Sequence, residues 1–317
     1  MKNKKILILG GTGALGKTLI KRYYKNNEII VFSRDEHKQV NLQKQYPNLT
    51  YQIGDVKDKD SLLQAINEYK PDVVINTAAL KHVPICEENP YESVKTNIIG
   101  HKNLINCIQL SNHKVETLIF ISTDKACKPI NVYGMCKAIS EKIYMNFAKT
   151  TDIKTVIVRY GIVLESTGSV IPYFKSLLDN KADYLPITDV KMTRFLLSLQ
   201  QAINLIQWAY DNPNSHGKIA IPKVKSMKIT DIAKALIYVY GYCPVDHFEL
   251  REVGIRDGEK LHEEMISLEE SAFTDYSQEN YLIGSDRINT ELKSYDSKSS
   301  LMDSSEVLPF LRENGVV

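Results

Sequence analysis

The sequence predicts an α/β protein, with a doubly wound parallel sheet followed by a smaller C-terminal lobe. Three observations carry that prediction. Short apolar, β-branched runs alternate with helical patterns from Ile6 to about Arg159, the rhythm of a right-handed parallel sheet with helices on both faces. Gly10, Gly13 and Gly16 fall between the first run and the first helical pattern, where a strand-to-helix turn can cradle a pyrophosphate. Beyond about residue 160 the alternation breaks into shorter pieces, as an appended lobe would.

Taken in order, Ile6–Leu9 is the first strand, and Leu15, Leu19, Ile20 and Tyr23 mark the helix behind the glycine turn. The amides at that helix start would face a phosphate, which puts Gly10, Thr12, Gly13, Ala14, Leu15 and Gly16 against a dinucleotide. Glycines also serve ordinary tight turns, so their place between strand and helix is what gives them meaning. Glu28–Phe32 is the second strand, tipped by Ser33, Arg34 and Asp35. An acidic tip would hold the ribose 2′-hydroxyl of NAD, whereas an arginine pairs with the 2′-phosphate of NADP, so NADP is favoured. Asp35 could instead neutralise Arg34 at the surface. Leu49–Ile53 follows, with Asp55 and Val56 just past its tip, then a helix from about Lys59 to Tyr69. Asp72–Asn76 is the fourth strand, and the small Ala78 and Ala79 at its end let a cofactor approach the backbone. Asp55 is expected at the adenine and the alanines at the ribose; the plainer alternative is a turn aspartate and packing alanines. Lys81 and His82 lie in the next loop, where they could face a sugar or phosphate or be merely solvated. Asn97, on the helix after Pro90, is expected to support the reacting centre.

Thr117–Ile121 is a buried strand, and Ser122-Thr123-Asp124-Lys125-Ala126 stands at its tip, where open α/β sheets bind ligands. Tyr133 and Lys137 lie four apart on one face of the following helix, Val132 to Phe147. A lysine so placed can favour the phenolate of a neighbouring tyrosine, which could then take a proton from a sugar hydroxyl. Lys154–Arg159 is a sixth strand. A helix opens at Gly168–Phe174, a strand starts at Thr193, and Ile203–Tyr210 is helical with Trp208 on its core face. Ile219–Ile221 and Ile229–Tyr240 form a further strand and helix. A glycine-bounded polar loop, residues 254–260, leads into a short helix over Leu261–Ile266. The expected division is a Rossmann-type NADP-binding domain at 1–165 with returning segments near 193–222, a sugar-binding lobe from 166–192 and 223–290, and a polar tail from 291 to 317.

The chain has 317 residues and a formal net charge of +2, with 43% hydrophobic and 25% charged residues. These are values of an ordinary globular protein with no case for nucleic acid as partner. The five cysteines, Cys86, Cys107, Cys127, Cys136 and Cys243, make no Cys-x-x-Cys pair, so reduced thiols and a cytoplasmic location are expected. No metal-ligand spacing is present. No apolar run is long enough to span a bilayer, and the N-terminal run is too short for a signal peptide.

The glycine loop, the Thr123-Asp124-Lys125 tip and the Tyr133…Lys137 pair together resemble the extended short-chain dehydrogenase/reductase superfamily. Within it, the chain is similar to the inverting UDP-N-acetylglucosamine 4,6-dehydratases of surface-sugar synthesis. Ser33-Arg34-Asp35-Glu36, residues 78–84, Ser122–Ala126 with Pro129, Asn131 and Tyr133, Met192–Phe195 and residues 254–263 carry the resemblance. Ile162 stands where that family usually has asparagine, and Asp257 where it has proline. The membrane-bound retaining relatives carry methionine at the position of Tyr133 and N-terminal spans. The resemblance implies NADP as hydride carrier, UDP-N-acetylglucosamine as substrate and a homo-oligomer, dimer or hexamer. It implies that Tyr133, Lys137 and Thr123 act at the C4 hydroxyl, with Asp124 and Lys125 as acid and base at C6 and C5. Lys125 must then be partly neutral, which burial beside Lys137 would favour. Lys81, His82, Ser169, Val170, Arg194, Arg256 and Glu259 are the implied substrate contacts, the two arginines at the pyrophosphate and Glu259 at the ribose. A nucleotide-sugar 4-epimerase and a retaining 4,6-dehydratase are the alternatives.

Overall fold

The computed structural model describes residues 1–164, 166, 168–242 and 245–317. Its first half is β1 (Lys5–Leu9), α1 (Ala14–Tyr23), β2 (Glu28–Ser33), α2 (Glu36–Gln45), β3 (Thr50–Ile53), α3 (Lys59–Tyr69) and β4 (Val73–Asn76). Two short helices follow, α4 (Val83–Glu88) and α5 (Pro90–Val94), then a π-helical turn Lys95–Ile99 that runs into α6 (Gly100–Leu110). Next come β5 (Thr117–Ile121), the 3₁₀ turn Asp124–Ala126, α7 (Val132–Ala148) and β6 (Lys154–Val158).

The second half begins with β7 (Ile162–Val163), α8 (Val170–Asp179), β8 (Tyr184–Ile187), β9 (Thr193–Leu197) and α9 (Leu199–Asp211). It continues through β10 (Ile219–Ile221), β11 (Ser226–Lys228), α10 (Ile229–Val239), β12 (Glu249–Glu252) and β13 (Glu264–Ile266). It closes with α11 (Leu268–Ser271), β14 (Thr274–Asp275), β15 (Tyr281–Ile283), β16 (Tyr295–Asp296) and α12 (Ser304–Glu313).

The main sheet has nine strands in the order β14-β15-β10-β6-β5-β4-β1-β2-β3. From β3 to β10 all pairs are parallel, and β15 joins β10 antiparallel. Strand order reverses between β1 and β4, which opens the crevice where such sheets bind dinucleotides. The central strands are apolar throughout because helices cover both faces: β1, β4 and β5 have no exposed residue after Lys5. One core layer packs Leu7, Phe32, Phe120 and Tyr144 with α3, α6 and α7; the other packs Ile8, Val31 and Val158 with α1 and α9. A third core, around Phe174, Leu196 and Leu236, belongs to the lobe.

The structure departs from the sequence-based division in three places. Residues 264–266 form an extended strand, paired antiparallel with Tyr295–Asp296, and not the expected helix. β14 and β15, inside the expected lobe, extend the main sheet. Residues 291–317 are no polar tail: α12 buries Val307 and Leu311 in the lobe core against α10. Asp303 caps that helix, accepting from Ser305 N at 2.9 Å. Ser297, wholly buried, bonds back to Thr193 Oγ1 at 2.7 Å and accepts from Glu263 N at 2.9 Å.

Candidate active site

Gly10 begins the dinucleotide crevice with φ +76, a conformation that suits glycine. A β-carbon there would stand 2.8 Å from Thr77 Oγ1 at the tip of β4, and one on Gly16 would stand 2.5 Å from Gly11. These glycines therefore let α1 and the β4 tip close on the turn, leaving Gly13 and Ala14 exposed at the helix start with Thr12 tucked behind. Leu15 is partly buried against the core layer under α1. The cradle fits a pyrophosphate.

At the β2 tip, Ser33 is buried and accepts from Gln39 Nε2 at 3.0 Å. Arg34 is exposed and reaches Asp55 at 3.6 Å. Asp35 does not neutralise it: its carboxylate caps α2, accepting from Lys38 N at 2.9 Å, and pairs with Lys38 Nζ at 2.8 Å. Asp55 also accepts from Lys57 N, so it shapes its own turn. Val56 is core: its side chain meets the α6 backbone at Gly100.

Asn97 is not free for a cofactor. It is wholly buried on the π-helical turn, accepts from Leu80 N at 2.9 Å and donates to Leu80 O at 2.8 Å. It thereby fixes the loop that carries Ala78, Ala79 and Lys81, a supporting part spent on backbone. Lys81 and His82 are exposed at the crevice mouth. A β-carbon on Gly168 would lie 2.2 Å from the His82 ring, so that loop abuts the start of α8, where Ser169 and Val170 are partly exposed. Ser169 Oγ has no hydrogen-bond partner among the described residues.

Thr123, Asp124, Lys125, Tyr133 and Lys137 lie on the turn and helix that follow the β5 tip. Thr123 Oγ1 caps the 3₁₀ turn and donates to Asp124 Oδ1 at 3.0 Å. A β-carbon on Gly134 would sit 2.2 Å from Lys125 O, so glycine lets α7 lie directly against the turn. Asn131 caps α7, accepting from Gly134 N, and donates to Gly258 O; both bonds are 2.7 Å. This docks the loop of residues 254–263 onto the same turn, and Lys260 Nζ adds a bond to Cys127 O.

The charges differ from the expectation in two ways. Lys125 is not neutral. Burial favours loss of its proton, but Asp124 Oδ1 at 3.2 Å and Glu263 Oε1 at 3.1 Å outweigh that and hold the ammonium above its usual range. Tyr133 is not acidified by Lys137. Burial pushes its phenol up to about 12, with Lys125 and Thr123 opposing. Lys137 instead donates to Ile121 O at 2.7 Å and lies 4.5 Å from the centre of the Phe120 ring, and burial lowers it to about 7.

Glu263 is the residue the sequence reading left without a role, although it ends the quoted stretch 254–263. Burial works to protonate it, but Lys125, Arg194 and Lys260 hold it ionised. Asp124, fully buried, is pushed upward by desolvation and by Glu263 despite Lys125. Arg194 is not free for a pyrophosphate: it is buried, its Nη1 donates to Thr193 O and Leu261 O, and its Nε lies 4.0 Å from Glu263. Arg256 is exposed in its loop, and Glu259 is partly buried with Oε2 lacking a partner among the described residues.

Residues 6–285 match the family described as polysaccharide biosynthesis protein. The chain belongs to this family. Over 291 residues, 89% of this chain and 83% of the relative, it is 45% identical to a Campylobacter jejuni protein named UDP-N-acetylglucosamine 4,6-dehydratase (inverting). It is also 38% identical, over 86% of its length and 80% of the relative's, to a Rickettsia felis protein named UDP-glucose 4-epimerase. Among solved structures, Pen from Bacillus thuringiensis superposes with a TM-score of 0.89 at 29% identity, covering 100% of this chain and 99% of that one. The family's model spans both the main sheet and the lobe, including the 254–263 loop.

Cys86, Cys107, Cys127 and Cys136 are free and buried; Cys243 lies outside the described residues. No group of His, Cys, Asp or Glu among the described residues could hold a metal ion. No described helix is long and apolar enough to cross a membrane.

Proposed function

We propose that this protein catalyses the NADP-dependent 4,6-dehydration of UDP-N-acetylglucosamine, with inversion at C5, to UDP-2-acetamido-2,6-dideoxy-L-arabino-hexos-4-ulose. One observation carries the reading. A buried carboxyl and a partly exposed ammonium, Asp124 and Lys125, stand side by side at the β5 tip next to Tyr133. Oxidation at C4 needs only the tyrosine and its helpers; an acid and a base beside it serve a second event, loss of water across C5 and C6.

Tyr133, once its phenol has lost its own proton, takes the C4 hydroxyl proton, with Thr123 beside it and the buried Lys137 behind. A bound nicotinamide dinucleotide supplies the hydride chemistry, removal at C4 and return at C6. The C4 ketone acidifies the C5 hydrogen. Lys125, once it has shed its own proton, takes that hydrogen; the C5 electron pair forms the double bond to C6, and the C6 hydroxyl leaves as water with the Asp124 proton. Return of a proton to C5 on the opposite face inverts the centre. Gly10, Thr12, Gly13, Ala14, Leu15, Gly16, Ser33, Arg34, Asp55, Ala78, Ala79 and Lys81 line the crevice for the dinucleotide. His82, Ser169, Val170, Arg256 and Glu259 edge the lobe side, where the UDP-sugar binds, and the unpartnered Glu259 oxygen suits a ribose hydroxyl. The same reading carries a homo-oligomer, supported by the exposed apolar Met135 and Ile139 on α7.

The relative named UDP-glucose 4-epimerase favours one rival, C4 inversion without water loss. NMR of the product made from UDP-N-acetylglucosamine in deuterated water decides. The expected product has a C6 methyl group, a C4 ketone, L configuration and deuterium at C5. An intact C6 hydroxymethyl with inverted C4 establishes the epimerase, and a D-configured deoxy sugar establishes a retaining dehydratase.

The cofactor preference has its own test. Arg34 is exposed and its nearby carboxylate, Asp55, is at the long distance of 3.6 Å, so the guanidinium can turn to a 2′-phosphate. A charge-assisted pair of that kind contributes about 1.5–3 kcal/mol, roughly ten- to a hundredfold in affinity. Calorimetric titration should show NADP binding more tightly than NAD, and Arg34→Asp should erase the difference. Equal affinities in the native protein would remove Arg34 from the cofactor site.

A further inference from the structure

Glu263 reaches the site from the opposite half of the chain. It lies just ahead of β13, and its Oε1 stands 3.1 Å from Lys125 Nζ and 4.0 Å from Arg194 Nε. Its side chain is 3% exposed against 18% for Lys125, so the lysine faces the crevice and the glutamate stands behind it. Both Glu263 Oε2 and Asp124 Oδ2 lack a hydrogen-bond partner among the described residues. The backbone of Glu263 is held on both sides by Ser297: Glu263 N donates to Ser297 Oγ at 2.9 Å and Ser297 N donates to Glu263 O at 2.8 Å. Two sealed carboxylates thus share one ammonium, an arrangement costly to bury unless its protons are placed.

We propose, on the dehydratase reading above, that Glu263 is a positioning residue. Its carboxylate clamps Lys125 Nζ beside Asp124, and so sets the pH at which the lysine sheds its proton and can accept the one from C5. The groups facing this cluster are few. The β5-tip turn contributes Asp124 and Thr123, β9 contributes Arg194, α7 contributes Tyr133, and the 254–263 loop contributes Lys260. Arg194 and Lys260 counter part of the Glu263 charge, whereas Asp124 reinforces it at Lys125.

The sign follows. Lysine acts as a base only when neutral, so turnover rises with pH through its value in the complex. A nearby anion raises that value, and removing the anion lowers it. The experiment measures kcat for water loss from UDP-N-acetylglucosamine against pH in the native enzyme, E263D and E263Q, with NADP affinity measured on each. In E263Q the rising limb should move to lower pH by about one unit or more, and in E263D by less, since a carboxylate one methylene shorter stands further off. A packing role alone would lower the plateau or the NADP affinity and leave the limb in place. An unmoved limb in E263Q overturns the inference, as does one in E263D if the glutamine variant does not fold. A native enzyme that releases no water from UDP-N-acetylglucosamine overturns the dehydratase reading itself, and this inference falls with it.

Discussion

On the proposed dehydratase reading, Lys125→Ala should abolish formation of the 4-keto-6-deoxy sugar while leaving NADP bound. A missing general base costs roughly a hundredfold to ten-thousandfold in turnover, and no other described side chain stands at the β5 tip with an exposed basic nitrogen in its place. The fold should survive the change, because Glu263 keeps Arg194 at 4.0 Å and Asp124, fully buried, can remain protonated. Cofactor affinity should stay within a few-fold of native, since the glycine turn and Arg34 lie at other strand tips. Product traced by NMR and NADP binding traced by fluorescence check the two halves separately. An active Lys125→Ala enzyme would remove lysine from the C5 step.

The largest expected loss of stability comes from Arg159→Met. Arg159 is 1% exposed at the end of β6. Its Nε and Nη2 donate to the two oxygens of Glu141 at 2.9 and 2.6 Å. Its Nη1 and Nη2 donate to Glu270 at 2.8 Å, and Nη1 also donates to Met265 O. Removing the guanidinium strands two carboxylates, one of them sealed, which costs about 3–5 kcal/mol. Denaturant titration should show that loss; a change below about 1 kcal/mol would mean the cluster is far better hydrated than its burial indicates. The same contact gives a pH signature. Burial opposes ionisation of Glu270, but Arg159 prevails and holds the carboxyl at about 2, below its ordinary 4.5. A depressed carboxyl stabilises the fold above its unfolded value and loses that contribution as pH falls through the folded one. The native protein should therefore lose melting temperature between about pH 4.5 and 2, and Arg159→Met should lose less there.

The first half of the fold was legible because strand and helix periods differ sharply and glycines punctuate them. Thr117–Ile121 and Lys59–Tyr69 were read with the bounds the structure shows. Residues 261–266 were misread because apolar and charged residues mix there without a clear period, and a partner strand thirty residues on decides the outcome. The C-terminal residues looked like a tail because the chain beyond about Ser267 is rich in serine, aspartate and glutamate; yet Asp303 and Glu306 form a capping box, and Val307 and Leu311 complete one apolar face. At the site, the members were readable but their protons were not. Lys125 and Lys137 are both buried lysines of the same turn–helix unit, yet one is pushed up and the other down. The difference is a pair of carboxylates at Lys125, first the adjacent Asp124 and then Glu263, which arrives across more than a hundred residues and which no local pattern announces. For the same reason Arg194 read as a phosphate ligand, when its partner was inside the protein.

The cations at this centre and the anions that match them leave the ribosome at different times. Lys125 and Arg159 are made in the first half, Glu263 and Glu270 only after β12. A nascent chain can thus assemble the glycine turn and the strands around β1 while its lysine has Asp124 alone and its arginine Glu141 alone. The acid–base centre closes last, when β13 pairs with β16 and Ser297 takes hold of Glu263. On the proposed reading, an unfinished chain would hold the glycine turn without the completed acid–base centre, and activity would arrive together with the end of synthesis.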